Sequence, residues 1–148
     1  MKTVFSGIQP TGKVHLGNLL GAINNWVSLS NEESKNYFCV VDLHSLTTHP
    51  DPSKMQENIQ ETIKVLVSSG INQKNSKIYI QSNVPEHVQL SWILSNFCQI
   101  GELQRMTQFK EKSDQLGSHA GILTYPILMA ADILIHKANE VPVCLLYT

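Results

Sequence analysis

The run Ser6 to Gly21, SGIQPTGKVHLGNLLG, carries the residue types best suited to gripping a phosphate. It follows the β-prone Thr3, Val4 and Phe5. It leads into apolar residues at helical spacing: Leu16, Leu20, Ile23 and Val27. Where a strand turns through Gly and Pro into a helix, glycine lets the backbone approach a ligand, and the helix N-terminus offers unpaired N–H groups. His15-Leu16-Gly17-Asn18 falls where that helix begins. A second candidate is Asp132, within YPILMAADILI at 125–135. On a helix, Tyr125, Leu128, Met129 and Asp132 share one face. The residues one turn away, Leu128, Met129 and Ile135, are apolar. An unpaired carboxylate among them is costly, so Asp132 needs a partner or a raised pKa. From spacing alone, the plainer role is an Asp that bonds a neighbouring loop or faces solvent.

The elements that must position these residues alternate between strand and helix. Tyr37 to Leu43 reads as a buried strand. Asp51-Pro52-Ser53 suits a helix start. Met55, Ile59, Ile63, Leu66 and Val67 continue it, and Gly70 suits its stop. Lys77 to Gln81 is a third strand. Pro85 and Glu86 open a further helix with Leu90, Ile93, Leu94 and Phe97 on one face and Gly101 near its end. Glu102 to Lys112 is polar and helix-prone, and 113–120 reads as a mobile loop. Strands separated by helices imply an α/β fold with a parallel sheet, whose ligands sit at the carboxyl ends of the strands. Ser6–Lys13 and His44–Thr48 lie at two such ends.

Two alternative readings fare poorly. Gly7, Gly12 and Lys13 fit part of a P-loop, but Val14 offers no hydroxyl for magnesium and Pro10 removes an N–H donor. Asp42, His44 and Cys39 suggest a hydrolase dyad, yet no nucleophile is framed by a sharp turn. His49, His87, His119 and His136 lack metal-ligand spacing, so solvated or structural roles are their default. Trp26 and Trp92 read as packing residues.

Composition sets outer bounds. The chain has 148 residues, enough for one domain, with 42% hydrophobic and 16% charged residues. A net charge of −1 argues against a strongly basic nucleic-acid face. The three cysteines, Cys39, Cys98 and Cys144, have no paired spacing and fit reduced thiols. The start, MKTVFSG, reads as the beginning of the fold rather than a leader, and no apolar run is long enough to span a membrane.

Four blocks occur in register: FSGIQPTG, VVDLHSLT, IGELQRMTQFKEKS and LTYPILMAADIL. With His15-Leu16-Gly17-Asn18, whose place corresponds to a His-Ile-Gly-His motif, they resemble the bacterial-type tryptophanyl-tRNA synthetases of the class I aminoacyl-tRNA synthetase family. The resemblance spans residues 1–143. It implies a Rossmann-like parallel sheet with flanking helices, with 1–148 an incomplete class I catalytic domain and the helical anticodon-binding domain absent. It implies ATP-dependent activation of L-tryptophan and transfer to tRNA(Trp), with Mg2+ carried by ATP and no metal site of the protein's own. Gln9, Pro10, Thr11, Gly17 and Asn18 would contact ATP, and His15, with Gln9, would act in catalysis by stabilising charge on the phosphates. Asp132 would accept a hydrogen bond from the indole N–H. Phe5, Gly7, Val41, His44, Tyr125, Met129, Ile133, Val141 and Val143 would complete the tryptophan pocket. A cytoplasmic homodimer is implied, with the dimer surface on helices around Glu86–Lys112.

After Val143 the family pattern continues Gly-Glu-Asp-Gln, whereas this sequence reads Cys144-Leu145-Leu146-Tyr147-Thr148. The expectation is therefore a chain that binds tryptophan or ATP weakly and does not aminoacylate tRNA at a useful rate. A different role is a non-catalytic fragment that docks with a full-length synthetase subunit. Tyrosine specificity is a rival within the enzyme class.

Overall fold

The structure is a computed structural model and describes residues 1–12 and 22–142. Among these, three strands form a parallel sheet in the order β1 (Lys2–Ile8), β2 (Ser34–Val40) and β3 (Ser76–Ile80). Parallel neighbours require crossovers, which here contain helices. α1 (Asn24–Ser30) lies between β1 and β2. The short α2 (Asp42–Ser45) and the long α3 (Pro52–Ser68) lie between β2 and β3. The chain then runs through α4 (Glu86–Ser95), α5 (Ile100–Arg105), α6 (Thr107–Leu116) and α7 (Ala120–Ile135). Past α7 it returns to the open side of β1, where the Phe5 N–H donates to the Glu140 carbonyl at 3.0 Å.

The period of two along each strand sorts the sheet into two faces. Ile8, Phe38 and Val40 point to one face and pack with Trp26 of α1 and with Ile59 and Leu66 of α3. Trp26 stacks on Phe38, with ring centroids 4.6 Å apart and planes 3° from parallel. Phe5, Cys39 and Val41 point to the other face, against Tyr79 and against Ile133 of α7. The architecture is therefore α/β, a Rossmann-like sheet with a helical layer on each side, and the second face carries the site.

Local signals account for the long helix. Asp51 caps α3 by accepting from the Ser53 N–H at 2.9 Å, and Pro52 follows at the first helical position. Gly70, just past the end, has φ +91°, a conformation that favours glycine. Elsewhere the structure corrects the sequence reading. β2 stops at Val40, and Asp42 and His44 lie on α2 rather than on a strand. Val41 makes the break, with φ −87° and ψ 69°. Gly101 sits inside α5 instead of ending α4, and residues 113–116 belong to α6, which leaves only a short link before α7. Ile93 and Phe97 are exposed rather than packed, and so is Trp92 at 73%.

Candidate functional site

A cavity of about 320 Å³ opens beside the carboxyl half of β1. Its size falls at the small end of ligand pockets, roughly 300–1,000 Å³. Phe5 and Gly7 of β1 form one wall, Val41 and His44 a second, and Tyr125, Met129, Asp132 and Ile133 of α7 a third, with Val141 at the edge. Ser6 lines it as well and anchors the returning chain, its hydroxyl donating to the Pro142 carbonyl at 2.6 Å. Gly7 is there for space. A Cβ at this position would lie 2.8 Å from Val41 Cγ1, a separation real Cβ atoms do not show.

Asp132 is the buried charge of the cavity, at 1% exposure. Its Oδ1 accepts from His87 Nδ1 at 2.7 Å and from Gln81 Nε2 at 2.8 Å. Its Oδ2 accepts from His44 Nε2 at 2.7 Å and again from Gln81 Nε2 at 3.0 Å. An ionised carboxylate only accepts, so both histidine nitrogens carry protons. Burial pushes the Asp132 carboxyl up, but the hydrogen bonds from His44 and His87, the charge interaction with His44 and the Gln81 amide outweigh it, and the net shift is down. This resolves the sequence dilemma: Asp132 has partners, and it stays ionised.

Each donor is placed by a different element. α2 carries His44, the short turn after β3 carries Gln81, and α4 carries His87. Asp42 ties two of these together, because its Oδ1 accepts from the Ser82 N–H at 3.0 Å. That contact occupies Asp42 in holding the turn, which removes the hydrolase dyad. Among the described residues, His44 Nδ1 and Gln81 Oε1 are buried and find no hydrogen-bond partner.

The mouth lies where β1 ends. Gln9 Nε2 donates to Tyr125 Oη at 3.2 Å, and Lys112 Nζ sits 4.0 Å from the centroid of the Tyr125 ring. Burial raises the Tyr125 hydroxyl and lowers the Lys112 ammonium from their ordinary values. Pro10 is buried and Thr11 exposed in the same turn. Gly7 lies within β1, so no phosphate-binding loop starts there, and the P-loop reading fails. His15, Gly17, Asn18 and Val143 lie outside the described residues. Among the described residues, no group of three or more His, Cys, Asp or Glu side chains could hold a metal ion. A neighbouring cavity of about 300 Å³ shares His44 and Tyr125 but has no carboxylate in its lining.

Sequence reasoning missed Gln81 and His87. Of the solvated and structural roles expected of His87, the structure shows the structural one, with full burial against Asp132. Position at a strand end was a usable signal for Gln81. Nothing in the local sequence marked His87, which lies 45 residues from its partner.

The description of class I tRNA synthetases (W and Y) fits this geometry, and its family model matches residues 1–144. The chain belongs to that family. A tryptophan–tRNA ligase of Clostridium tetani is 46% identical over 144 residues, covering 96% of this chain and 42% of that protein. One from Helicobacter pylori is 49% identical over 144 residues, covering 96% of this chain and 44% of that protein. Among solved structures, Campylobacter jejuni tryptophanyl-tRNA synthetase, complexed with ADP and tryptophan, matches with a TM-score of 0.88 at 37% identity. That match covers 95% of this chain and 44% of the other. Archaeoglobus fulgidus tyrosyl-tRNA synthetase, at TM-score 0.77 and 16% identity, shares the fold. This synthetase-family chain spans less than half the length of the curated relatives it matches. No helix among its described residues is long and apolar enough to cross a membrane.

Proposed function

We propose that the cavity binds L-tryptophan, with Asp132 accepting the indole N–H while Phe5, Gly7, Val41, His44, Met129, Ile133, Val141 and Val143 enclose the ring. The observation that carries this reading is a buried, ionised carboxylate on the wall of an otherwise mainly apolar cavity. A site built to take the N–H rejects an isostere without it, because binding that isostere forgoes a hydrogen bond to the carboxylate. Tyr125 lies beside Gln9 at the mouth, where the polar end of an amino acid would face the nucleotide. Gln9, Pro10, Thr11, Gly17 and Asn18 are assigned to ATP, and His15, with Gln9, to stabilising charge on its phosphates.

The reaction served is the one named for the relatives. The tryptophan carboxylate attacks the α-phosphorus of ATP, whose phosphates carry Mg2+, to give tryptophanyl-adenylate and pyrophosphate. The tryptophanyl group then passes to tRNA(Trp). Residues 1–148 form part of the Rossmann-type catalytic domain of such an enzyme, working in the cytoplasm. By itself this stretch binds tryptophan or ATP weakly and does not aminoacylate tRNA at a useful rate. Tryptophan-dependent ATP–pyrophosphate exchange by the purified chain, near the rate of a full-length enzyme, would refute the second statement. Competition between tryptophan and tyrosine tests the specificity, with tryptophan expected to win.

A second reading has its own observation. Trp92 at 73%, Ile93 at 55%, Phe97 at 81% and Ile100 at 63% exposure are apolar side chains left open from α4 through the turn after it to the start of α5. Exposed apolar surface of this kind marks association sites. We assign it to pairing with a second synthetase subunit, as a homodimer or by docking on a full-length partner. A monomeric elution profile, alone and after mixing with a full-length synthetase, would count against it.

A further inference from the structure

The hydrogen-bond network behind Asp132 continues past its direct partners. His87 meets the carboxylate through Nδ1 and presents Nε2 to Tyr79 Oη at 3.2 Å. The same hydroxyl lies 2.7 Å from His136 Nε2. His136 is held by stacking, with its ring 4.3 Å from that of Tyr37 and 5.5 Å from that of Phe5, which also walls the cavity. The buried Cys39 thiol contacts the Tyr79 hydroxyl as well.

Proton counting gives this chain a direction. The His87 nitrogen facing the carboxylate must carry a proton, because the carboxylate has none to give. In neutral His87 the other nitrogen, Nε2, is then an acceptor. Tyr79 has one proton and faces two imidazole nitrogens and the Cys39 thiol, whose sulfur is the weakest acceptor of the three. If it points at His87, its oxygen is left to accept from a protonated His136 Nε2. Burial raises the Tyr79 hydroxyl, so it keeps its proton. Burial also lowers His136 to about 4, so the ring is neutral near pH 7 and has one N–H to give. Donation therefore runs from His136 to Tyr79, from Tyr79 to His87 and from His87 to Asp132. The reverse orientation sets two lone pairs against each other at Tyr79 and His87, or puts a second proton on His87.

We propose that Tyr79 and His136 are positioning residues for amino-acid selection: they lock His87 in its Nδ1–H tautomer, which holds Asp132 as an oriented, ionised acceptor for the indole N–H. The selection role rests on the tryptophan reading of the cavity, whereas the tautomer lock does not. Neither residue touches the cavity's ligand in this scheme, and both act through His87.

The tautomer is read without any ligand, by long-range 1H–15N correlation of the imidazole nitrogens in the 148-residue chain near pH 7. The expected result is a protonated Nδ1 and a hydrogen-bonded, unprotonated Nε2 on His87. In Tyr79→Phe, the Nε2 signal should move to that of an unbonded acceptor. A wild-type His87 protonated at Nε2, or an unchanged Nε2 signal in Tyr79→Phe, overturns the lock. Tryptophan titration reads the selection role. Tyr79→Phe and His136→Leu should each weaken binding about three- to tenfold, the value of one hydrogen bond. His136→Gln keeps an N–H donor and should restore affinity to within about twofold, which lost packing alone would not do. Binding of β-(3-benzothienyl)alanine, which has sulfur in place of the indole N–H, should be insensitive to Tyr79→Phe. Unchanged tryptophan affinity in Tyr79→Phe overturns the selection role. A wild-type chain that binds no tryptophan removes the pocket reading and that role together, while the NMR result decides the tautomer lock independently.

Discussion

Replacing Asp132 by Asn tests whether its cluster is a charge-assisted network. The side chains have nearly the same shape, so packing is preserved and chemistry changes. Three donors converge on the carboxylate at 2.7–3.0 Å: His44 Nε2, His87 Nδ1 and Gln81 Nε2. Asn offers one oxygen and turns the other acceptor into an NH2 group that faces a donor. His44 can answer by moving its proton to Nδ1, but that atom is buried and, among the described residues, has no partner to receive it. A hydrogen bond to a charged group contributes about 1.5–3 kcal/mol, and breaking a buried pair costs about 3–5 kcal/mol. Asn keeps part of the network, so about 3 kcal/mol is the expected loss, a large share of the roughly 5–15 kcal/mol that holds a domain together. Urea unfolding at pH 7 measures it. At a slope of about 1.5 kcal/mol per molar, the midpoint should fall by about 2 M. A loss below about 1 kcal/mol with an unchanged slope would refute the reasoning, because it would mean that the carboxylate is neutral or solvated in the wild type.

Three further outcomes follow from other parts of the molecule. Stability should fall on acidification: His136 is lowered from 6.5 to about 4 in the fold, so the folded state resists the proton that the unfolded state takes up between those values. For this half-buried ring the loss amounts to about 1–2 kcal/mol, complete below pH 4. Asp132, also lowered, contributes above its unfolded value and loses that contribution only as pH drops through its folded one. Urea midpoints across this range should show the decline in wild type and a flatter profile in His136→Gln. Gly7→Ala should cost about 1–3 kcal/mol by overpacking against Val41, 2.8 Å away, and Val41→Ala added to it should recover part of that loss in a double-mutant cycle. Acrylamide should quench Trp92, at 73% exposure, and spare Trp26, at 1%. If Trp92 is shielded at high protein concentration and exposed on dilution, a second subunit covers that face.

Much of the fold was legible because burial leaves a period. Short β-prone apolar runs marked the strands, Asp51-Pro52 and Gly70 bracketed α3, and Tyr125, Met129 and Asp132 fell on one face of α7. The missed elements share a cause. VVDLHS continues an apolar run, so nothing local showed that Val41 ends the strand and that Asp42 opens a helix. Periodicity placed Ile93 and Phe97 on one helical face, but it does not say what covers a face: Phe97 falls just past α4, and among the described residues both stay exposed, as does Trp92. The candidate site was legible in its apolar walls and in Asp132, whose burial demanded a partner. Which partners it has was not. Gln81 and His87 reach it from 51 and 45 residues away, a proximity created only when the turn after β3 and α4 pack on α7. The ATP side rests on residues of which only Gln9, Pro10 and Thr11 are described.

The central claim is that Asp132 selects for an N–H on the ring of the bound amino acid. Equilibrium titration of the wild-type chain with L-tryptophan and with β-(3-benzothienyl)alanine measures that selection directly. The two ligands match in shape and differ at the single atom that we assign to Asp132. A hydrogen bond to a charged group contributes about 1.5–3 kcal/mol, so tryptophan should bind at least about tenfold more tightly. Equal affinities would contradict the claim and reduce the cavity to an apolar slot that judges size alone.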